Sequence, residues 1–288
     1  MRMLNLPGPA AGVLPALGLG TWRLGESPAR RAAEVAAVRD ALAMGWRLID
    51  TAEMYGEGGA EEVVGQALAE ALRAGEVRRE DIVVVSKVYP HNAGRRGVPA
   101  ACERSLRRLG LKRIDLYLLH WRGSVPLAET VEAMQSLQAA GRIGRWGVSN
   151  FDVDDLEELV AAGGADCAAN QVWYSLGEQG PAHSLLPWMR ARGVPLMAYS
   201  PIDQGSLAAG GELAELAELA RGLGATAAQL ALAWLLDQPG VAAIPKAAST
   251  AHLRENLAAT RLQLDAATRA ALARVFPPPV RKTPLAMI

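Results

Sequence analysis

Four residues of this chain could together move a proton. Asp50 closes the run RLID, Lys87 lies near the end of IVVVSKV, His120 closes IDLYLLH, and Tyr55 follows Asp50 in the loop DTAEMYGEGG. The first three follow apolar runs that belong in a core, where a charge needs a partner. Asp50 and Lys87 can supply each other. The glycines beyond Tyr55 let the chain turn back over the strand ends, which would set a phenol beside the lysine. An ammonium there favours tyrosinate, so the phenol is expected to fall from its ordinary pKa of about 10 toward neutrality, as a general acid requires. Composition singles out the same lysine. Of 30 cationic side chains only Lys87, Lys112, Lys246 and Lys282 are not arginine, so a merely solvated positive position is normally written as arginine here.

The elements that must position these groups follow a βα rhythm. Short aliphatic runs at 17–21, 47–50, 82–88, 114–120, 144–150, 168–174, 195–201 and 241–247 predict strands. Helical patterns lie between them at 28–44, opened by Ser27 as cap and Pro28, and at 59–74, 99–109, 127–140, 152–162, 181–192, 226–237 and 249–259. Further helices at 211–222 and 265–274 fall outside the repeat. Parallel strands that are apolar on both faces, each followed by a helix, close most simply into an α/β fold of the (β/α)8 TIM-barrel type, with an open doubly wound sheet as the alternative. The start MRMLNLPGPAAGV reads as an N-terminal β-hairpin and PPPVRKTPLAMI as a short C-terminal tail. No linker divides residues 1–288, so one domain is expected.

A barrel of this kind builds its active site at the C-terminal strand ends. Here these read Gly20-Thr21-Trp22, Asp50-Thr51, Lys87, His120-Trp121, Ser149-Asn150, Asn170-Gln171, Tyr199-Ser200 and Lys246. Any one polar terminus could be an ordinary loop residue meeting water. Their recurrence at strand after strand is harder to explain that way.

With 50% hydrophobic and 21% charged residues over 288 positions the chain is globular, and 30 basic against 30 acidic side chains leave no net field for a polyanion. Nucleic acid and a membrane surface are therefore not expected as partners; a small molecule is. Cys102 and Cys167 form neither a CxxC nor a metal-ligand cluster, which fits a reducing cytoplasm. Pro7, Gly8 and Pro9 interrupt the N-terminal segment, and no uncharged apolar run approaches the roughly 18 residues of a membrane span. Gly18-Leu19-Gly20 begins a GxGxxG, but Arg23 stands where the third glycine belongs, and neither a GxxxxGK[ST] loop nor a GxSxG elbow occurs.

The segments GLGTW, IDTAEMYG, VSKV, LYLLHW, GVSN, NQVWY, AYSP and IPKA resemble, in order and spacing, the aldo-keto reductase superfamily from about residue 14 to 260, and most nearly its bacterial methylglyoxal and small-carbonyl reductases. DTAEMYG with LLHW and GVSN is the most specific part. The resemblance implies an NADPH-dependent reductase of small aldehydes, ketones or dicarbonyls such as methylglyoxal, with NADH as the other possible cofactor and no metal. It implies catalytic roles for Asp50, Tyr55, Lys87 and His120, a carboxamide site at Ser149, Asn150 and Gln171, and Tyr199 stacked on the nicotinamide with Ser200 beside it. Gly20, Thr21 and Trp22 would flank the reacting centre, and Trp22, Tyr89, His91 and Trp121, with Tyr55 and His120, would form the substrate pocket.

The adenosine phosphate would meet Lys246, His252 and Asn256, with loop 203–212 closing over the pyrophosphate. His252 stands where many NADP-preferring relatives carry arginine, and Ala247 where a hydroxyl is frequent. The expected protein is a cytoplasmic monomer. The rival readings are a redox-sensing module of the same fold with little turnover, which usually carries a docking extension, and a metal-dependent barrel hydrolase, which would need a His-x-His at a strand end.

Overall fold

The computed structural model describes residues 2–7, 12–203 and 214–288. The antiparallel hairpin β1 (Met3–Leu6) and β2 (Gly12–Pro15) precedes eight parallel strands: β3 (Leu19–Gly20), β4 (Leu48–Asp50), β5 (Val83–Val88), β6 (Ile114–Leu119), β7 (Ile143–Ser149), β8 (Asn170–Trp173), β9 (Leu196–Tyr199) and β10 (Val241–Ala243). Each of the eight pairs with its neighbours in sequence, and bridges Leu17↔Ala243 and Gly20↔Lys246 join the two edges. The Gly18 and Gly20 N–H groups donate to the carbonyls of Ala243 and Pro245 at 2.9 and 3.0 Å. The sheet therefore closes into the expected barrel. At Gly20 the closure needs glycine, because a Cβ there would lie 2.8 Å from the Ile244 carbonyl oxygen.

The outer layer comprises α1 (Arg31–Ala43), α2 (Gly59–Arg73), α3 (Gly97–Leu109), α4 (Leu127–Ala139), α5 (Val153–Ala161), α6 (Leu185–Ala191), α7 (Ala214–Gly222), α8 (Ala227–Asp237), α9 (Thr250–Ala258) and α10 (Ala266–Val275). Each falls within a few residues of its expected position; residues 211–213 of the α7 expectation, and the hairpin turn at 8–11, lie outside the described residues. One start signal acts differently from its reading. Pro28 opens a 3-10 turn, Pro28–Arg30, and the Ser27 side chain makes no capping bond. Elsewhere caps work as the residue types demand: Asp152 and Thr226 each form a reciprocal capping box. Among the described residues no single helix is long and apolar enough to cross a membrane.

Alternation along the strands makes two cores. Leu48, Val85, Leu116, Leu118, Met197 and Ala242 fill the barrel, joined by Leu4 and Leu14 of the hairpin. Their neighbours Ile49, Val84, Tyr117 and Ala198 pack outward with helix residues such as Val64, Leu68, Leu106 and Met134. Trp46 and Trp146 are fully buried in this outer layer, while Trp188 and Trp234 are half-buried against it. Beyond the repeat, Leu216, Leu230 and Leu272 form a smaller cluster linking α7, α8 and α10.

The hairpin thus closes the end where the strands begin, leaving the opposite end for chemistry. Leu14 is 0% exposed, so Leu14→Ala should destabilise the protein by about 2–5 kcal/mol. Urea unfolding measures this; a loss below about 1 kcal/mol would mean that the hairpin is no part of the barrel core.

Candidate active site

The same alternation that fills the barrel determines what stands above its filling. Asp50 follows inward-facing Leu48, Lys87 follows Val85, His120 follows Leu118, Gln171 follows Ala169, Tyr199 follows Met197 and Lys246 follows Ile244, each two residues on. One further step along each strand exchanges hydrocarbon for a polar group.

Lys87 is 0% and Asp50 2% exposed. The Lys87 ammonium donates to Asp50 Oδ2 at 2.7 Å, to the Thr51 carbonyl at 2.9 Å and to the Tyr55 hydroxyl at 3.1 Å. The other Asp50 oxygen accepts from Gln171 Nε2 at 2.7 Å. All three ammonium hydrogens and both carboxylate oxygens are engaged, as a buried ion pair requires. Burial opposes the Lys87 charge, yet Asp50 and Tyr55 facing it leave its pKa raised.

Tyr55 corrects one expectation. Burial raises its pKa, and this outweighs the lowering by Lys87, whose charge is already compensated by Asp50; the net direction is upward, not toward neutrality. His120 is held well below the ordinary imidazole value, first by burial and then by Lys87. Its ring meets Tyr55 edge-on at 5.7 Å and Trp121 at 5.1 Å, and its Nδ1 is buried without a hydrogen-bond partner among the described residues.

Above this group opens a cavity of about 420 Å³. Gly20, Thr21, Trp22, Asp50, Tyr55, His120 and Trp121 line it on one side, with Ser149, Asn150, Gln171, Tyr199, Ser200 and Lys246 on the other. Ser149 Oγ donates to the Gln171 carbonyl at 2.8 Å, Asn150 Nδ2 to the His120 carbonyl at 3.2 Å, and the Tyr199 hydroxyl to Asn150 Oδ1 at 3.0 Å. These bonds make a fixed polar shelf beside the Tyr199 ring, whose phenol is pushed up to about 12, chiefly by burial.

Some expected residues stand elsewhere. Tyr89 and His91 are not on the cavity wall: Tyr89 packs edge-on to Trp121 at 5.9 Å, and His91 stacks behind it at 4.7 Å. His252 is exposed and Asn256 buried on α9, both away from the wall. Residues 204–212 of the expected closing loop lie outside the described residues; Asp203, just before them, accepts from Trp173 Nε1 at 3.1 Å.

Arg23, Met54, Pro201, Ile202, Ile244 and Ile288 line the cavity without having been expected there. Arg23 lies next to Trp22, with its guanidinium over that ring at 4.5 Å and a φ of 65°, unusual for a side chain other than glycine. Ile288 reaches the cavity because the tail is tied down upstream: Lys282 lies 3.3 Å from both Asp152 and Asp154, and Leu285 packs on the outer core.

The His120 imidazole has a stability signature. Its folded pKa lies below the unfolded value of about 6.5, so the unfolded chain takes up the proton first, and stability present above that pH is lost as pH falls. Relative to His120→Gln, the wild type should lose roughly 1–2 kcal/mol more between pH 7 and pH 5. Parallel denaturation curves across that range would show instead that the imidazole titrates as if exposed.

A family model described as Aldo/keto reductase family matches residues 16–275. Methylglyoxal reductase YeaE of Escherichia coli (strain K12) is 47% identical over 290 residues, covering 100% of this chain and 99% of its own. Methylglyoxal reductase DkgB of Salmonella typhimurium is 33% identical over 264 residues, covering 90% of this chain and 92% of its own. A crystal structure of an aldo-keto reductase from Klebsiella pneumoniae in complex with NADPH superposes with a TM-score of 0.92 at 48% identity, covering 100% of both chains.

Proposed function

This chain belongs to the aldo/keto reductase family, an oxidoreductase by that membership, and we propose that it reduces small aldehydes, ketones or dicarbonyls such as methylglyoxal to alcohols with NADPH, Tyr55 giving the proton. One observation carries the reading: the Tyr55 hydroxyl lies 3.1 Å from the ammonium of a fully buried lysine, at the floor of a cavity of about 420 Å³. The methylglyoxal reductase at 47% identity over the whole chain supports the substrate class, and the NADPH complex of the Klebsiella pneumoniae protein supports the cofactor.

The donor set fits a nicotinamide dinucleotide. A ledge of amides and a hydroxyl lies beside a flat phenol ring, and the exposed cations Arg23 and Lys246 stand on the wall above a floor whose charges cancel. Ser149, Asn150 and Gln171 would hold the carboxamide, Tyr199 would face the ring, and Lys246 would reach a phosphate. The bound nicotinamide supplies the hydride for the carbonyl carbon.

Tyr55 is kept protonated at neutral pH by burial, so it enters the reaction as an acid. As its proton leaves, the Lys87 ammonium 3.1 Å away stabilises the tyrosinate that forms. Asp50 holds that ammonium in place through the 2.7 Å bond. A neutral His120 can give the carbonyl oxygen a hydrogen bond without competing as the acid. The indoles of Trp22 and Trp121 flank the space left for the substrate.

Tyr55→Phe should lower kcat with NADPH and methylglyoxal by about 10² or more, because a positioned general acid contributes that much, while NADPH Kd from tryptophan fluorescence stays within about twofold. A variant that kept most of the rate would place the acid elsewhere.

Lys246 sets the expected cofactor preference. As a point charge able to meet the 2′-phosphate it should favour NADPH over NADH by about 1–3 kcal/mol. Ala247 and the exposed His252 add little to such a site. Lys246→Ala should therefore weaken NADPH about tenfold and leave NADH nearly unchanged. Equal wild-type Kd values, unmoved by the substitution, would make this a dual-cofactor enzyme.

A further inference from the structure

Resting on that reading, we propose that Tyr89 is a positioning residue for Tyr55, acting through Glu53 and Glu57, and not a substrate contact. Tyr89 is bonded to the Tyr55 loop on both sides of Tyr55. Its backbone N–H donates to Glu53 Oε1 at 2.8 Å, and its hydroxyl donates to Glu57 Oε1 at 3.0 Å. Glu53 precedes Tyr55 by two residues and Glu57 follows it by two.

The first of these bonds runs beside the reacting pair. Lys87 lies two residues before Tyr89, so the Lys87–Tyr55 bond at 3.1 Å and the Tyr89–Glu53 bond at 2.8 Å join the same two short segments. The Glu53 N–H also donates to the Lys87 carbonyl at 3.3 Å. Tyr55 cannot slide away from Lys87 without breaking that set. Glu53 is 5% exposed and carries a charge; Asn92 Nδ2 at 3.1 Å and Arg104 at 3.3 Å complete its partners. A carboxylate so buried is expensive unless its bonds persist, which makes the connection stiff.

The second bond ends on an awkward backbone. Glu57 has φ of 49°, a left-handed conformation that a residue other than glycine keeps only when its surroundings impose it. Its N–H is held by the Met54 carbonyl at 3.2 Å, and the Tyr89 hydroxyl anchors its carboxylate to the segment after Lys87. The Tyr89 ring meanwhile supports Trp121 edge-on at 5.9 Å, and Trp121 lies against His120. Tyr89 therefore touches the neighbours of both Tyr55 and the substrate space while standing off the cavity wall.

Four variants test this: Glu53→Ala, Glu53→Gln, Tyr89→Phe and Arg104→Ala. Misplacing a reacting group by about 1 Å can cost 10²-fold, so Glu53→Ala should lower kcat about tenfold or more while methylglyoxal KM and NADPH Kd stay within about twofold. Glu53→Gln keeps the acceptor oxygen and should recover kcat to within about threefold of wild type. Tyr89→Phe, which loses only the hydroxyl bond, should cost about threefold in kcat, and Arg104→Ala, which removes the charge partner of the buried Glu53 carboxylate, should lower the thermal midpoint while methylglyoxal KM and NADPH Kd stay within about twofold.

A merely structural role would instead lower kcat, cofactor affinity and thermal midpoint together, or leave Gln as poor as Ala; either result overturns the proposal. So does a Tyr89→Phe enzyme whose KM rises at constant kcat, since that marks a substrate contact. If Glu53→Ala does not fold, Tyr89→Phe carries the test alone.

A readout independent of turnover separates this proposal from the functional reading. The Tyr55 titration, taken as the difference in tyrosinate absorbance between each protein and its Tyr55→Phe counterpart, should move down in Glu53→Ala as water reaches a phenol otherwise faced by Lys87, Asp50 and His120. A titration that stays put overturns the positioning role. A wild type that reduces no small carbonyl with NADPH overturns the function alone.

Discussion

An ammonium and a carboxylate held 2.7 Å apart and out of water are the interaction on which the rest of the strand ends depend. Either charge alone at that depth would destabilise the fold by about 3–5 kcal/mol. The pair is tolerable because every hydrogen and both oxygens find a partner, and those partners come from three directions: the Thr51 carbonyl after β4, the Tyr55 hydroxyl in the loop beyond it, and the Gln171 amide on β8. A local need for neutrality thereby fixes the positions of strands on opposite sides of the barrel. It also leaves a floor without net charge, so the field in the cavity comes from the rim.

That depth has a consequence for Tyr55, the proposed acid. A single-pair view predicts that a phenol beside an ammonium loses its proton more easily. In the folded protein the ammonium is already paired, and what the phenol experiences most strongly is the loss of water, which keeps it protonated. In the proposed reaction Lys87 still matters, but when negative charge forms on Tyr55 rather than in the resting state. An isolated Tyr–Lys pair in solvent would reverse that order, so sign arguments from sequence neighbours fail where burial outweighs the neighbouring charge.

Much of the fold and of the polar floor was legible in the sequence, because a barrel strand has a period of two and a fixed direction. Once IVVVSKV is taken as a strand with Val85 inside, Lys87 must face inward one step higher, and the same count places Asp50, His120, Gln171, Tyr199 and Lys246. Loops have no such rule. The family resemblance puts Tyr89 in the substrate pocket, but its orientation depends on bonds to Glu53 and Glu57, more than thirty positions earlier in the chain. Ile288 was unreadable for a related reason: nothing periodic in PPPVRKTPLAMI says that Lys282 will meet Asp152 and Asp154 and aim the last residues toward the cavity. Arg23 was visible as the residue that spoils a GxGxxG, yet its place over Trp22 requires a left-handed backbone that its residue type argues against.

The division of labour between rigid and adjustable parts arises from these contacts. Groups proposed to move a proton stand on strands or in a loop bonded to one, tied by buried or part-buried bonds near 3 Å. Groups that meet the outer cavity, such as Trp22, Arg23 and Lys246, are exposed, and Ile288 is 56% exposed at the end of a tail held through a half-exposed lysine. Surface ion pairs of that kind contribute at most about 1 kcal/mol, against several for breaking the buried pair. Changes at the rim can therefore alter which carbonyl compounds fit without disturbing the Asp50–Lys87–Tyr55 geometry, and the chemistry can stay fixed while specificity varies.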